Sequence, residues 1–162
     1  MKNVILASVL ALASVGVANA DHSENHHREA AVTAGAQFSD RDGAILGVSY
    51  TEHYMTKYGS WYGSLGYDRL PKSSNSVDRL SVVVARDTGF AVQGLPLLLK
   101  VGGAYVNPDG GVSGYAWLVG AGTRYTLRDN LTLTVDYKYQ VGENDVRGWD
   151  GNQVTLGVAA KF

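Results

Sequence analysis

The sequence predicts an all-β protein, a transmembrane eight-stranded antiparallel up-and-down β-barrel. From residue 31 to the end, segments in which every second residue is apolar recur along the chain. The 20 glycines and 10 tyrosines against three prolines are typical of strands and turns. The chain contains no cysteine, so an exported protein of this sequence cannot depend on disulfides for its stability.

The first twenty residues predict a secretory signal peptide. Lys2 supplies the positive start, and the apolar run over 4–17 is too short to span a bilayer as a helix. Ala18 and Ala20 form a small-x-small cleavage site, so cleavage is expected after Ala20. The protein is therefore expected to be exported.

Residues 21–30 form a polar, His-rich segment without periodicity, which we interpret as a solvated leader. A transition metal is the alternative, because imidazoles and carboxylates occur together here. Nothing in the segment fixes a coordination geometry, so neither a metal nor a cofactor is predicted. The side chains concerned are His22, Glu24, His26, His27 and Glu29.

The β-barrel is predicted over 31–162, with polar or Gly-containing turns between its strands. Several segments reach nine residues, close to the length with which a tilted strand crosses a bilayer. The eight alternating segments are 31–39, 44–51, 61–68, 78–86, 97–105, 115–127, 131–139 and 152–162.

The two faces of these segments indicate a membrane barrel. One face carries Val, Leu and aromatic residues, and the other carries Gly, Ser, Thr, Gln and a few charges. A soluble barrel buries its apolar face inside, whereas a polar face suits the narrow interior of a transmembrane barrel. Aromatic residues concentrate at strand ends, as in the girdles of such barrels. They are Tyr50, Trp61, Tyr67, Tyr105, Tyr115, Tyr125, Tyr137 and Tyr139.

Charged residues on the polar face predict an ionic network inside the barrel, because an unpaired buried ion is costly. The network can plug the lumen or form a charged pore constriction. Eight strands leave an interior just wide enough for side chains, which favours the plug. Counting from the turn at 128–130 predicts that Arg124 faces Asp136. The network residues are Asp68, Arg79, Lys100, Arg124, Asp136, Lys138 and Lys161.

Three other function classes are disfavoured. Hydrolysis needs a nucleophile beside a His base, and the one His after the leader, His53, falls in the predicted connection 52–58. A net charge of −1 gives no electrostatic case for nucleic acid. An outward apolar face argues against a soluble lipocalin-like binder. A structural or surface-interaction role with a plugged lumen is therefore expected, with a narrow porin-like channel as the alternative.

Eight strands of alternating direction predict the topology once both termini are placed in the periplasm. The connections expected on the periplasmic side are 52–58, 87–95 and 128–130, since periplasmic turns are short. Those expected outside are 40–43, 68–76, 106–114 and 141–151.

Three stretches carry a resemblance to bacterial outer-membrane proteins. The ending "VTLGVAAKF" resembles their C-terminal signature, with Val154, Leu156, Val158, Ala160 and Phe162 on one face. The stretch "VGAGTRYTLRDNLTLTVDYKYQ" resembles the last hairpin of small barrels of the OmpA/OmpX-like class, and "LPLLLKVGGAYVNPDGGVSGYAW" resembles barrels of the YfaZ type.

The resemblance implies a monomer in the outer membrane of a Gram-negative envelope. Its surroundings would be outer-membrane lipid and lipopolysaccharide. The barrel assembly machinery would recognise the last strand. No cofactor is implied.

The C-terminal aromatic provides a first test. Deleting Phe162, or replacing it with Asp, should lower the amount of assembled protein more than Lys161→Asp, because Phe162 is predicted on the lipid face where a charge is costly. Immunoblotting of membrane fractions for the heat-modifiable form measures assembly. Equal membrane levels of wild type and the Phe162 deletion would contradict the role assigned to this residue.

Overall fold

A computed structural model describes residues 26–38, 42–71, 76–143, 146 and 149–162. These residues form eight strands. In chain order they are β1 (His26–Phe38), β2 (Gly43–Thr56), β3 (Gly59–Leu70), β4 (Val77–Val92), β5 (Leu95–Pro108), β6 (Gly114–Arg128), β7 (Leu131–Gly142) and β8 (Gly151–Lys161).

The strands close into one antiparallel barrel in chain order, which confirms the predicted fold. Each strand pairs with its neighbours in sequence, and β8 returns to β1 in a ladder from Glu29↔Lys161 to Phe38↔Asn152. Closure gives every strand a partner on both sides, so the sheet has no free edge. Within the described residues, no helix is long and apolar enough to cross a membrane.

The two ends of the barrel differ in the length of their connections. At one end, which we call the turn end, three two-residue turns at 57–58, 93–94 and 129–130 join the strands. Gln93 and Gly94 have φ of 52° and 81°, the two positive values that a type I′ hairpin turn requires. The four longer connections lie at the opposite end, the loop end. This division agrees with the predicted topology.

The outer wall is apolar and the inner wall is largely polar, as the alternation predicts. Val32, Leu46, Val101 and Leu156 are each more than half exposed on the outer wall. Aromatic residues cluster near both ends of this wall, and Tyr115 and Tyr125 lie ten residues apart on β6. At about 3.3 Å per residue and a tilt of about 40°, their separation along the barrel axis is about 25 Å, the height of the apolar band of membrane barrels.

The barrel begins earlier than the sequence indicates. β1 starts at His26, so 26–30 of the predicted leader belong to the barrel, and β2 continues through 52–56 of the predicted connection. The ladder continues to His26↔Tyr54 because backbone pairing does not need apolar side chains outside the apolar band. The predicted signal peptide lies outside the described residues.

Two adjacent glycines on β5 meet different surroundings. A Cβ on Gly102, which faces inward, would lie 2.2 Å from the carbonyl oxygen of Val82 on β4. A Cβ on Gly103, which faces outward, would meet only the carbonyl oxygen of Ala116, at 3.8 Å. Gly102 is therefore required by strand packing, while Gly103 leaves open space on the outer wall.

This contrast predicts the effect of two matched substitutions. Gly102→Ala should destabilise the barrel by about 1–3 kcal/mol, the usual cost of overpacking, whereas Gly103→Ala should change its stability little. Equilibrium unfolding in urea, with the protein in lipid vesicles, measures both. Equal losses for the two variants would contradict the packing assigned to Gly102.

Candidate functional site

The lumen of the barrel holds the buried polar and charged side chains, and it is the candidate functional site. Four groups of side chains fill it between the loop end and the turn end. We call them the outer cap, the glutamine–arginine layer, the central ion pairs and the histidine layer.

The outer cap is an apolar cluster at the loop end, formed by Ile45, Leu70, Val77, Val106, Val146 and Trp149. The barrel wall supplies the first four, and the connection between β7 and β8 supplies the other two. Trp149 is 5% exposed and Val146 is fully buried, so these two residues of the connection lie over the lumen. Its close approach needs Gly142, since a Cβ there would lie 2.3 Å from the Val146 carbonyl oxygen.

The glutamine–arginine layer lies beneath the cap. Arg79, 2% exposed, donates from Nη1 to the side-chain oxygens of Gln37 and Gln140, at 3.0 and 2.9 Å. Gln153 Nε2 donates to the same oxygen of Gln140 at 3.1 Å. Both Gln37 and Gln140 also donate to the backbone carbonyl of Trp149, at 3.3 and 2.9 Å. These bonds attach the outer cap to the barrel wall.

The central ion pairs hold most of the predicted charges. Arg79 Nε donates to Asp68 Oδ1 at 2.6 Å, and Lys100 Nζ donates to Asp136 Oδ1 at 2.5 Å. Lys138 lines the same space within electrostatic reach of both aspartates. Gly122 makes room for the second pair, because a Cβ there would lie 2.1 Å from Asp136 Oδ1 and 3.0 Å from Lys100 Cε. Each of these acids therefore has a cation beside it.

A polar cavity of about 90 Å³ separates the central ion pairs from the turn end. Ser49, Thr51, Ser64 and Thr134 contribute hydroxyls to its wall, together with the charged side chains above and below. At about 15 Å³ per water, it has room for roughly six waters. Water held in this cavity can form hydrogen bonds with the charged atoms that the ion pairs do not use.

The histidine layer fills the lumen near the turn end. Glu29 is 4% exposed and forms an ion pair with Arg124, across the barrel on β6. His27 Nε2 lies 3.3 Å from Glu29 Oε1, and His27 Nδ1 is hydrogen-bonded to His53 Nδ1 at 3.0 Å. The Tyr62 ring stacks on His53 at 4.5 Å and lies 4.8 Å from the Arg124 guanidinium carbon. These contacts link β1, β2, β3 and β6.

The placement of His53 corrects the expectation that it lies in a connection. It faces the lumen from β2, beside His27 from the predicted leader. The hydrogen bonds found for these two rings lead to each other and to Glu29, not to a hydroxyl nucleophile. In the part of the chain that the structure describes, no three His, Asp or Glu side chains are grouped to hold a metal ion. His22 and Glu24 lie outside that part.

The predicted pairing of Arg124 with Asp136 is wrong. The β6–β7 register places Asp136 opposite Gly122 and Arg124 opposite Thr134, two positions away from the predicted pairing. Asp136 binds Lys100 on β5, and Arg124 binds Glu29 on β1. Lys161 lies on the inward-facing set of β8 but at its turn end, where it is exposed to solvent.

The residues of the resembling C-terminal strand lie on the outer wall. Val154, Leu156 and Val158 are 39–55% exposed, and Ala160 continues the same face. The Phe162 ring lies 6.4 Å from the ring of Tyr50, and its backbone N–H donates to the Arg28 carbonyl at 3.0 Å. The last residue is thus attached to β1 and β2. Its recognition by assembly machinery stays a prediction.

Several residues lie in the lumen although the sequence did not place them there. Glu29 and His27 continue the inward-facing set of β1, two and four positions before Ala31, so extending the alternation backward would have found them. Gln140 likewise continues the inward-facing set of β7 beyond Lys138. No sequence pattern pointed to Trp149 or Val146, which belong to an irregular connection.

Three solved structures resemble the whole barrel. The N-terminal β-barrel domain of Pseudomonas aeruginosa OprF has a TM-score of 0.59 at 16% identity, covering 85% of this chain and 98% of that one. Neisserial surface protein A has a TM-score of 0.54 at 14% identity, covering 85% of this chain and 97% of that one. Ail, the attachment invasion locus protein of Yersinia pestis, has a TM-score of 0.53 at 16% identity, covering 85% of this chain and 99% of that one. At such identities these similarities show the fold, that of small eight-stranded outer-membrane barrels. No family model and no curated protein matches the sequence.

The corrected pairing predicts a double-mutant cycle. Asp136→Ala should destabilise the barrel, because it leaves Lys100 without its partner. The loss of stability should be smaller than the roughly 3–5 kcal/mol expected when one partner of a fully buried ion pair is removed, because this pair borders a cavity that can hold water. Adding Lys100→Ala should recover part of the loss, whereas adding Arg124→Ala should not. Urea unfolding in vesicles measures the coupling, and coupling of Asp136 to Arg124 alone would contradict this arrangement.

Proposed function

We propose that the protein is an integral β-barrel of the outer membrane with a structural or surface-interaction role and a largely plugged lumen. The apolar outer wall, about 25 Å high between its aromatic clusters, supports its insertion in a bilayer. Only helices and closed barrels satisfy all backbone polar groups in lipid, and this chain forms a closed barrel.

The observation that carries the plugged state is the filling of the lumen at the loop end. The side chains of the outer cap and of the glutamine–arginine layer are nearly inaccessible to solvent, which supports a blocked axis. An ion passing along the axis would have to displace the Trp149 indole and break the hydrogen bonds of Arg79. The role is therefore proposed to be that of a surface protein without steady conductance and without catalysis.

The proposed orientation places the turn end in the periplasm and the loop end outside. Short periplasmic turns and longer external connections are the rule in such barrels. The connections between β3 and β4, β5 and β6, and β7 and β8 would then form the surface presented to partners. Protease treatment of intact cells that cut at 129–130 but spared 143–150 would contradict this orientation.

A narrow channel is the second candidate. The polar cavity beneath the central ion pairs favours it, because its hydroxyl and charged walls suit water or a small ion. The two candidates differ in one measurable property, the conductance of the wild-type protein.

Planar bilayer recordings test the plug. The wild type should show no steady conductance. The double variant Trp149→Ala with Arg79→Ala should conduct, because it removes the largest side chain of the cap and the cation that fixes the layer below. Trp117→Ala is the matched control, since it removes an indole from the outer wall and should leave the lumen closed. A large conductance of the wild type would contradict the plugged lumen and favour the narrow channel.

A further inference from the structure

One lysine inside the barrel has no acid of its own. Three acids line the polar cavity, and each of them forms an ion pair with a different cation. The pairs are Asp68–Arg79, Asp136–Lys100 and Glu29–Arg124. Lys138 lines the same cavity, but among the described residues its ammonium has neither an ion-pair partner nor a hydrogen-bond partner. At the cavity, one cation is therefore left without a paired acid.

The wider surroundings of Lys138 do not compensate its charge. The groups that act on its ammonium most strongly are two acids and two cations, whose formal charges sum to zero. They are Asp68, Asp136, Lys100 and Arg79. Directly opposite Lys138 lie the uncharged Gly120 on β6 and Gln153 on β8. Apart from the Glu29–Arg124 pair, the other charged residues on the described inner wall lie at the turn end, next to solvent. These are Asp87, Arg128 and Lys161.

The wall of the cavity also supplies neutral hydrogen-bond donors. Thr51 and Ser64 share one hydrogen bond of 2.9 Å between their hydroxyls, so one of their two hydroxyl hydrogens stays free. The hydroxyls of Ser49 and Thr134 have no hydrogen-bond partner among the described residues. Hydroxyl donors and an ammonium around one cavity are the groups with which a protein binds a small anion.

An anion in the cavity compensates the charge of Lys138, which water does not. An unpaired ion is costly in so narrow an interior, and water solvates such an ion without neutralising it. A single negative charge matches the single unpaired cation. A chloride ion is little larger than a water molecule, so a cavity of about 90 Å³ has room for one chloride together with some of the water.

We propose that the polar cavity binds one small monovalent anion, of the size of chloride, between the Lys138 ammonium and the hydroxyls of the cavity wall. The inference rests on the plugged lumen of the proposed function, because an ion is retained only where the axis is blocked. With this anion, Lys138 has a counter-charge, as Arg79, Lys100 and Arg124 already have. The anion is a structural part of the ionic network and not a transported solute.

Urea unfolding in phosphatidylcholine vesicles tests the site, with chloride replaced stepwise by gluconate at constant ionic strength. Gluconate is too large for the cavity, and constant ionic strength keeps the screening of charges unchanged. Because only the folded barrel holds the ion, the folding equilibrium constant of the wild type should rise with chloride, by up to about tenfold for each tenfold rise in concentration.

Two lysine variants assign the chloride dependence to its residue. Lys138→Met should lose the dependence, and without chloride it should be at least as stable as the wild type, because it removes an unpaired charge. Lys161→Met is the matched control, since it removes an exposed lysine of the inward-facing set and should keep the wild-type dependence. Heat-modifiable migration on a gel checks that each variant is folded.

Bromide locates the ion without any substitution. Crystals of the wild type grown with bromide in place of chloride should show a peak of anomalous scattering within about 4 Å of Lys138 Nζ, the limit for an ion pair. Bromide peaks at exposed lysines and arginines only would overturn the proposal.

The outcomes separate the anion site from the plugged lumen. A wild type that neither conducts in planar bilayers nor responds to chloride would overturn the anion site alone. Equal chloride dependence of the wild type and Lys138→Met would also overturn it, because the ion would then bind elsewhere. Steady conductance of the wild type would instead contradict the plugged lumen, and with it a retained ion.

Discussion

Closure of the backbone hydrogen-bond ladder is the constraint on which the rest of the structure depends. Once β8 pairs with β1, no strand has a free edge, and each residue must point either into the cylinder or away from it. With eight strands the cylinder is only just wide enough for side chains. Inward-facing side chains such as Arg79 and Arg124 therefore contact residues of other strands across the cylinder.

The narrow interior explains why glycine and charge alternate on the inner wall. A Lys–Asp pair from β5 and β7 can meet only because the strand between them, β6, presents Gly122 at that height. Pairing is needed because an ion without a partner in such a space is very costly. The Asp68–Arg79 pair faces the same restriction beside Gly47, where a Cβ would lie 2.8 Å from the Asp68 Cβ. The small residues are thus part of the ionic network although they carry no charge.

Alternation of apolar residues was enough to predict the number of strands, their order and the direction of the side chains within the predicted segments. Those properties depend on residues two positions apart, which a sequence displays directly. The partners of the charges depend on register and on contacts across the barrel, which it does not display. Arg124 pairs with Glu29, 95 positions earlier in the chain. The hairpin register differs by two positions from the predicted one, so Asp136 lies opposite Gly122 and not opposite Arg124.

The cap was unpredictable for a related reason. Trp149 and Val146 lie in an irregular connection, where no period indicates direction, and their burial follows from the hydrogen bonds of Gln37 and Gln140 to the Trp149 carbonyl. The polar start of β1 was misassigned because its residues lie outside the apolar band. Their pairing depends on backbone hydrogen bonds, which form with any side chain, so the amino-acid composition of 26–30 did not indicate a strand.

Glycine on the outer wall calls for a different explanation from glycine inside. Gly102 and Gly122 are required by neighbours that leave no space for a Cβ, whereas Gly103 has open space and weakens its strand without a packing benefit. Gly63 on β3 is equally open. Neither of these outward-facing glycines is required by a neighbour, so the narrow interior accounts for the glycines of the inner wall and not for these two.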